Sequence, residues 1–300
     1  MERQSGYLRD LICLRENYPL RKENMLRIGG NAKFYAEPRD LNECAEVLEC
    51  AYKRNLKIAV LGDGTHTLIS DEGFDGLILS TKSMKSITLK GSLITAYAGE
   101  TLDNIINKSI EHHLIGLEKL AGIPGTLGGA IKINAHANSV SISDFIFYID
   151  YLTPDGSFCR TPLYKETFTK DGVSLPDNAI FVAAGLKMMP SQFTAEARLR
   201  KETFTELMLV PPATRLASDV FCNPEGYTAA DIINELNLTG PSGLKAEFSE
   251  YNPNIIVTYP GCRSYDVAAL IRKAEEEAFN KLSIKLRCSL SFIGSFREKQ

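Results

Sequence analysis

The stretch Ala121-Gly122-Ile123-Pro124-Gly125-Thr126-Leu127-Gly128-Gly129-Ala130 decides how the rest of this 300-residue chain is read. Six of its ten residues are glycine, proline or threonine, more small or rigid positions than a turn requires. Glycine reaches positive φ and lets a backbone approach a ligand closely, so successive N–H groups can face phosphate oxygens. The pattern fits a backbone packed flat against a bulky ligand, with the Thr126 hydroxyl as a donor. Two shorter glycine turns follow strand-like segments, at Gly29-Gly30 and at Gly62-Asp63-Gly64-Thr65. Each of these is equally well a plain tight turn. Neither Gly-x-Gly-x-x-Gly after a first strand nor Gly-x-x-x-x-Gly-Lys-Ser/Thr occurs, which argues against the Rossmann and P-loop readings.

Around these turns the composition is that of an ordinary globular protein, 44% hydrophobic and 24% charged, with a net charge of −3. Nothing in that balance points to nucleic acid or an anionic membrane as a main partner. Phosphate binding would therefore rest on backbone geometry and a few placed cations. Met1 to Asn17 is charged and lacks an apolar run, so it does not read as a secretory signal, and no segment resembles a membrane helix. A cytoplasmic protein is expected. The seven cysteines are scattered without a Cys-x-x-Cys pair, so reduced thiols are expected rather than a disulfide framework or a metal site.

Pattern and punctuation predict helices from Pro38-Arg39-Asp40 to Ala51, over Leu102–Glu111, Ala195–Glu206, Ala229–Leu236 and Tyr265–Lys281. Strands are expected over Lys57–Leu61, Gly76–Leu79, Leu93–Ala98, Phe145–Leu152, Phe158–Thr161, Ala179–Lys187, Asn254–Val257 and Leu286–Ile293. Asp155-Gly156 forms a hairpin turn between two of them. The class is mixed α+β in two domains, 1–195 and 196–300, linked by the charged Ala195–Glu206 helix.

Several of these segments together resemble the UDP-N-acetylenolpyruvoylglucosamine reductase (MurB) family. Asn24-Met25-Leu26-Arg27-Ile28-Gly29-Gly30-Asn31-Ala32 is similar to its opening FAD-contact motif. Leu61-Gly62-Asp63-Gly64-Thr65-His66-Thr67-Leu68 sits where the family has its Gly-Gly-Gly-Ser-Asn-Leu loop on the FAD pyrophosphate. Gly122 to Ala130 matches Gly-Ile-Pro-Gly-Thr-hydrophobic-Gly-Gly-Ala without a gap, and Asn134-Ala135 follows at the family's distance. Val220-Phe221-Cys222-Asn223-Pro224, Tyr251-Asn252-Pro253-Asn254-Ile255-Ile256 and the helix from Tyr265 resemble segments of its substrate domain.

The resemblance implies an N-terminal FAD-binding domain of the PCMH/MurB type and a C-terminal MurB-type substrate domain. Arg27, Ile28, Gly29, Gly30, Gly62, Asp63, Gly64, Thr65, His66, Thr67, Gly122, Ile123, Pro124, Gly125, Thr126, Gly128, Gly129, Ala130 and Asn134 would bind the cofactor. The implied reaction is NADPH-dependent reduction of the enolpyruvyl ether of UDP-N-acetylglucosamine, a step of peptidoglycan precursor synthesis.

That reaction needs a hydride at one alkene carbon and a proton at the other, with a cation and an acid around the enolate that forms between. The family supplies an Arg, a Ser and a Glu. By resemblance their positions here hold Lys165, Asp219 and Ser289. Lys165 keeps the charge without the planar fork. Asp219 is anionic at neutral pH unless burial raises its pKa. The apolar Leu207-Met208-Leu209-Val210-Pro211 replaces a charged approach to the Ser motif. These changes predict that the family reaction is lost or altered. The alternatives are a catalytically inactive FAD-binding paralogue with a regulatory or scaffold role, and a flavin-free interaction module. His66 and His136 lie within cofactor motifs and are either flavin contacts or plain loop histidines. His112 and His113 read as solvated, and Cys222 stands where the motif has Lys.

Overall fold

The structure, a computed structural model, describes residues 14–162, 168–169, 172–173, 175–176, 178–208, 215–240 and 243–296. The chain forms two compact units that interleave in sequence. The first takes the described residues within Met1–Arg15, Tyr35–Asp63 and Leu77–Val210; the second takes those within Glu16–Phe34, Gly64–Gly76 and Pro211–Gln300.

The first unit is organised on a five-stranded antiparallel sheet in the order Phe158–Pro162, Ile146–Leu152, Ile180–Lys187, Leu93–Tyr97, Ile87–Lys90. The turn at Asp155-Gly156 joins its first two strands, as the sequence predicts; Gly156 has φ 87°, and Asp155 accepts from Ser157 and Thr153. Ile58–Leu61 pairs in parallel with Leu77 to Ser80 of the Phe74–Ser80 strand. Two helices begin at the side-chain caps that their sequences announce. Asp40 accepts from the amides of Asn42 and Glu43 at the head of Leu41–Lys53, and Thr101 accepts from Asn104 at the head of Leu102–Glu111. Ile105, Ile106, Leu117, Leu127, Ile149 and Leu186 are fully buried together behind the sheet.

The charged helix expected at 195–206 runs Thr194–Met208 and belongs to the first unit. What fastens it is an ion pair. Arg200 Nη2 lies 2.6 Å from Oε1 of Glu118, whose side chain is 2% exposed and whose other oxygen accepts from the Gly116 amide.

In the second unit a three-stranded antiparallel sheet orders Arg215–Ala217, Ile256–Thr258, Ala246–Phe248. The helices Ala229–Glu235 and Ser264–Leu282 close a core around Phe221, Phe248, Ile232 and Leu270. Asp71 holds the start of the long helix: Oδ2 accepts from the Ser264 amide at 2.7 Å and from its hydroxyl at 3.0 Å. The final strand expected over Leu286–Ile293 is two strands with different partners. Arg287–Cys288 pairs with Phe221–Cys222, while Ser291–Ile293 pairs in parallel with Thr67–Ile69. Ser289 and Leu290 form the crossing between them; the Ser289 amide bonds to Val220 and Leu290 is buried. The strand expected from Asn254 begins at Ile256, because the buried Asn254 side chain is spent on the Phe221 backbone, accepting from its amide and donating to its carbonyl, both at 2.9 Å. Among the described residues no helix is long and apolar enough to cross a membrane.

Candidate functional site

In the first unit the opening motif is a loop that becomes a helix. Gly122 and Gly125 have φ of 88° and 112°, conformations that strain any residue with a side chain. Thr126 then caps the Leu127–Lys132 helix, its hydroxyl accepting from the Gly129 amide at 3.4 Å. This helix lies inside the segment read as backbone packed flat against a ligand, and its cap uses the Thr126 oxygen as an acceptor. Gly62 arrives from the next loop. A Cβ placed there would lie 2.6 Å from Thr126 Oγ1, so the two glycine loops touch at this point. Gly128 is glycine for a packing reason too, since a Cβ would meet that of Ala98 at 3.1 Å. Gly129 alone of the helical pair is exposed, with only Thr126 within reach of a Cβ. Ala130 is buried in the core, and Ile123 packs against it. Asn134, at φ 46°, is buried and accepts from the Ser143 amide. A cofactor held here would be met by the Gly122–Thr126 turn, the Gly129 face and the exposed Pro124. Backbone that bulky side chains do not shield suits a large planar group with a diphosphate.

In the second unit Arg27 has φ 56° and its guanidinium is turned back onto the Lys22 carbonyl at 2.8 Å. Asn24, buried, donates to the carbonyls of Leu20 and Ile28 and so folds this turn from inside. Ile28 is a core residue. Gly29 abuts Ile69, Gly30 abuts the Asp71 carbonyl, and Gly64 abuts Glu23 and Asn24. These three glycines are required by close packing.

The substituted family positions are also in this unit, and the described ones come together. Ser289 Oγ donates to the Asp219 carbonyl. Asp219 is exposed and sits at φ 49°, a left-handed conformation uncommon outside glycine and Asn or Asp. His66 stands beside both: its carbonyl accepts from the Ser291 amide at 3.0 Å, and its Nε2 is buried without a hydrogen-bond partner among the described residues. Burial holds the His66 imidazole below its ordinary pKa. The Asp219 charge, and to a smaller extent the backbone of Ser289 and Ser218, pull the other way. Lys165 and the segment 209–211 lie outside the described residues.

Other candidates resolve differently. Burial raises the Cys222 thiol, which accepts from Arg287 Nη2 at 3.3 Å; a raised thiol is a poor nucleophile. His136 is exposed, its Nδ1 3.4 Å from the Asn134 carbonyl oxygen. His112 and His113 are exposed at the end of their helix. Among the described residues no group of three or more His, Cys, Asp or Glu could hold a metal ion. Sequence reading did not foresee the approach of His66 to Asp219. Its only trace was that both residues replace family residues, Asn and Ser, in separate motifs.

Fold and loop chemistry together define a flavoprotein: residues 32–162 match the FAD binding domain family, and residues 211–293 match the C-terminal domain of UDP-N-acetylenolpyruvoylglucosamine reductase. The UDP-N-acetylenolpyruvoylglucosamine reductase of Synechococcus sp. (strain JA-3-3Ab) is 31% identical over 93% of this chain and 90% of its own. That of Agathobacter rectalis is 30% identical over 95% of each. The crystal structure of the enzyme (MurB) from Thermus caldophilus covers 94% of this chain and 98% of its own, with a TM-score of 0.79 at 26% identity. The chain belongs to the UDP-N-acetylenolpyruvoylglucosamine reductase family.

Proposed function

We propose that this chain is an FAD-dependent reductase that draws electrons from NADPH and reduces the enolpyruvyl ether of a UDP-N-acetylglucosamine, with proton transfer rebuilt on residues other than the family's. The observation that carries the proposal is the convergence, within the second unit, of Asp219 and Ser289, bonded to one another, with the His66 carbonyl bonded to the Ser291 amide two residues further on. The correspondence over most of both chains to the Synechococcus relative supports a two-domain enzyme.

Bound FAD would supply the hydride. In the first unit, Gly122, Gly125 and Gly129 offer the backbone that would hold it, and Thr126 with Gly62 fixes the approach of the loops. Arg27 to Gly30 and Gly64 to Thr67 are assigned to the cofactor from the family motifs alone. In the second unit the Ser289 hydroxyl bonds to the Asp219 carbonyl, and Asp219 is exposed. Lys165 is assigned to the substrate's anionic groups. A cytoplasmic location accords with nucleotide-sugar chemistry.

One observation favours a second reading, an FAD-binding paralogue without catalysis: none of Lys165, Asp219 and Ser289 is the family's own catalytic residue. Spectroscopy separates the two. The purified protein should absorb near ~450 nm from bound flavin, NADPH should bleach the band anaerobically, and the enolpyruvyl UDP-sugar should restore it. A flavin band that NADPH bleaches but the sugar does not restore would favour the paralogue. A colourless protein that cannot be reconstituted with FAD would refute both.

A further inference from the structure

We propose that Arg287 is an anion-contact residue of the second unit, its guanidinium standing in for the cation that the family motif carries at position 222. The inference rests on the reductase reading above. Cys222 occupies the motif's Lys position. The strand Phe221–Cys222 pairs antiparallel with Arg287–Cys288, and Cys222 lies directly opposite Arg287. Residues directly opposite in an antiparallel pair project to the same face. The contact follows from that register: Arg287 Nη2 is 3.3 Å from Cys222 Sγ. The charge missing from one strand is supplied at the same place by its neighbour.

The backbone around Arg287 is fixed from two sides. The Cys288 amide donates to Glu275 Oε1 at 3.3 Å, and the Ser289 amide donates to the Val220 carbonyl at 2.9 Å. Leu286 and Cys288, its chain neighbours, pack with the core, so Arg287 projects away from it and is exposed. Burial raises the Cys222 thiol, which stays protonated and leaves the guanidinium its charge; a neutral thiol is only a weak acceptor. The planar fork of a guanidinium matches two oxygens of a carboxylate or a phosphate. Asp219 is near enough for its charge to act on the same thiol, and its carbonyl accepts from Ser289. Arg287 therefore stands beside the positions that match the family's catalytic residues, where it offsets the charge that Asp219 would set against an anionic substrate.

The test is binding by the full chain, read by isothermal titration calorimetry, and needs no turnover. UDP-N-acetylmuramate carries a diphosphate and a carboxylate; UDP-N-acetylglucosamine carries the diphosphate alone. Arg287→Met should weaken UDP-N-acetylmuramate binding by roughly tenfold or more, because a charge-assisted pair is removed. Equal losses with both ligands assign Arg287 to the diphosphate, and a loss confined to UDP-N-acetylmuramate assigns it to the carboxylate. Arg287→Lys should lose less, since it keeps the charge without the fork. Combining Cys222→Lys with Arg287→Met returns the cation to the motif position and should recover most of the lost affinity. A purely structural role for Arg287 predicts no such rescue. If Arg287→Met binds both ligands as the parent does, or if the double variant binds no better than Arg287→Met, the proposal is overturned. If the parent binds neither nucleotide sugar, the reductase reading fails and takes this inference with it.

Discussion

Gly62→Ala should destabilise the first unit through one atom, and removing that atom should rescue it. A Cβ at residue 62 would lie 2.6 Å from Thr126 Oγ1 but 3.7 Å from Thr126 Cβ and Cγ2, which is ordinary contact. The hydroxyl is therefore the whole obstacle. Thr126 is 3% exposed and its hydroxyl caps the Leu127–Lys132 helix, so it can yield only by rotating away and giving up the cap. Cap loss costs about 1 kcal/mol, and crowding in a packed site about 1–3 kcal/mol. The reduced freedom of the unfolded chain returns about 0.5–1 kcal/mol. The net cost of Gly62→Ala is about 2 kcal/mol.

Thr126→Ala alone should cost about 1 kcal/mol, the cap. In the double variant the cap is lost once, the clash is gone and the unfolded-chain freedom is still reduced, so the total should be about 0.5 kcal/mol rather than the additive 3. The coupling energy is about 2.5 kcal/mol, well above the ~0.5 kcal/mol within which independent sites add. Urea unfolding followed by far-UV circular dichroism, read on the transition that Thr126→Ala moves, measures it. Additivity of the two single changes, or a Gly62→Ala variant as stable as the parent, would refute the contact between these loops and the packing account of Gly62.

Three further perturbations address other parts of the fold. Arg200→Met leaves the Glu118 carboxylate, 2% exposed, without its cation, and should cost about 2 kcal/mol in urea unfolding; Glu118→Gln should cost less, since it removes the buried charge itself. Gly64→Ala brings a Cβ within 2.4 Å of the Glu23 carbonyl at φ 65°, where backbone rather than a side chain must move, so a Tm loss larger than that of Gly62→Ala is expected by calorimetry. Burial pushes the Cys288 thiol up to about 11, above its unfolded value, so the folded state keeps a proton that the unfolded state loses. Stability should accordingly fall as pH rises from about 9 towards 11, by at most about 1.4 kcal/mol per unit, and Cys288→Ala should flatten part of that slope in urea titrations.

Much of the fold was legible because its signals are local. Asp40 before Leu41 and Thr101 before Leu102 announce two helices, and the structure uses both side chains as caps. The apolar runs at Ile146–Leu152 and Ile180–Lys187 are the central strands of the large sheet, buried enough to read as continuous. What escaped was decided by partners distant in the chain. Thr67–Ile69 is too short to read as a strand and exists because Ser291–Ile293 lies alongside it. The Leu286–Ile293 run looks like one strand until its two ends are claimed by different neighbours. The interleaving of the units has the same origin: Gly64–Gly76 belongs with the C-terminal residues, held by contacts such as Asp71 to Ser264 that no local pattern encodes.

The candidate site was legible as a set of loops and illegible as a set of roles, and the reason lies in what glycine reports. A glycine is demanded equally by a ligand, by positive φ and by a neighbouring chain. In one motif Gly122 and Gly125 answer the second demand, Gly128 the third, and only Gly129 is left with an open face. The positions that match the family's catalytic residues show the converse. Read singly, Asp219 in place of Ser removes a hydroxyl donor and adds a repulsive charge, and His66 in place of Asn is one more loop histidine. Placed side by side, each changes what the other means. The Asp219 charge favours the protonation of the His66 ring that burial opposes. Two substitutions that lie far apart in sequence thus bear, in three dimensions, on one ring.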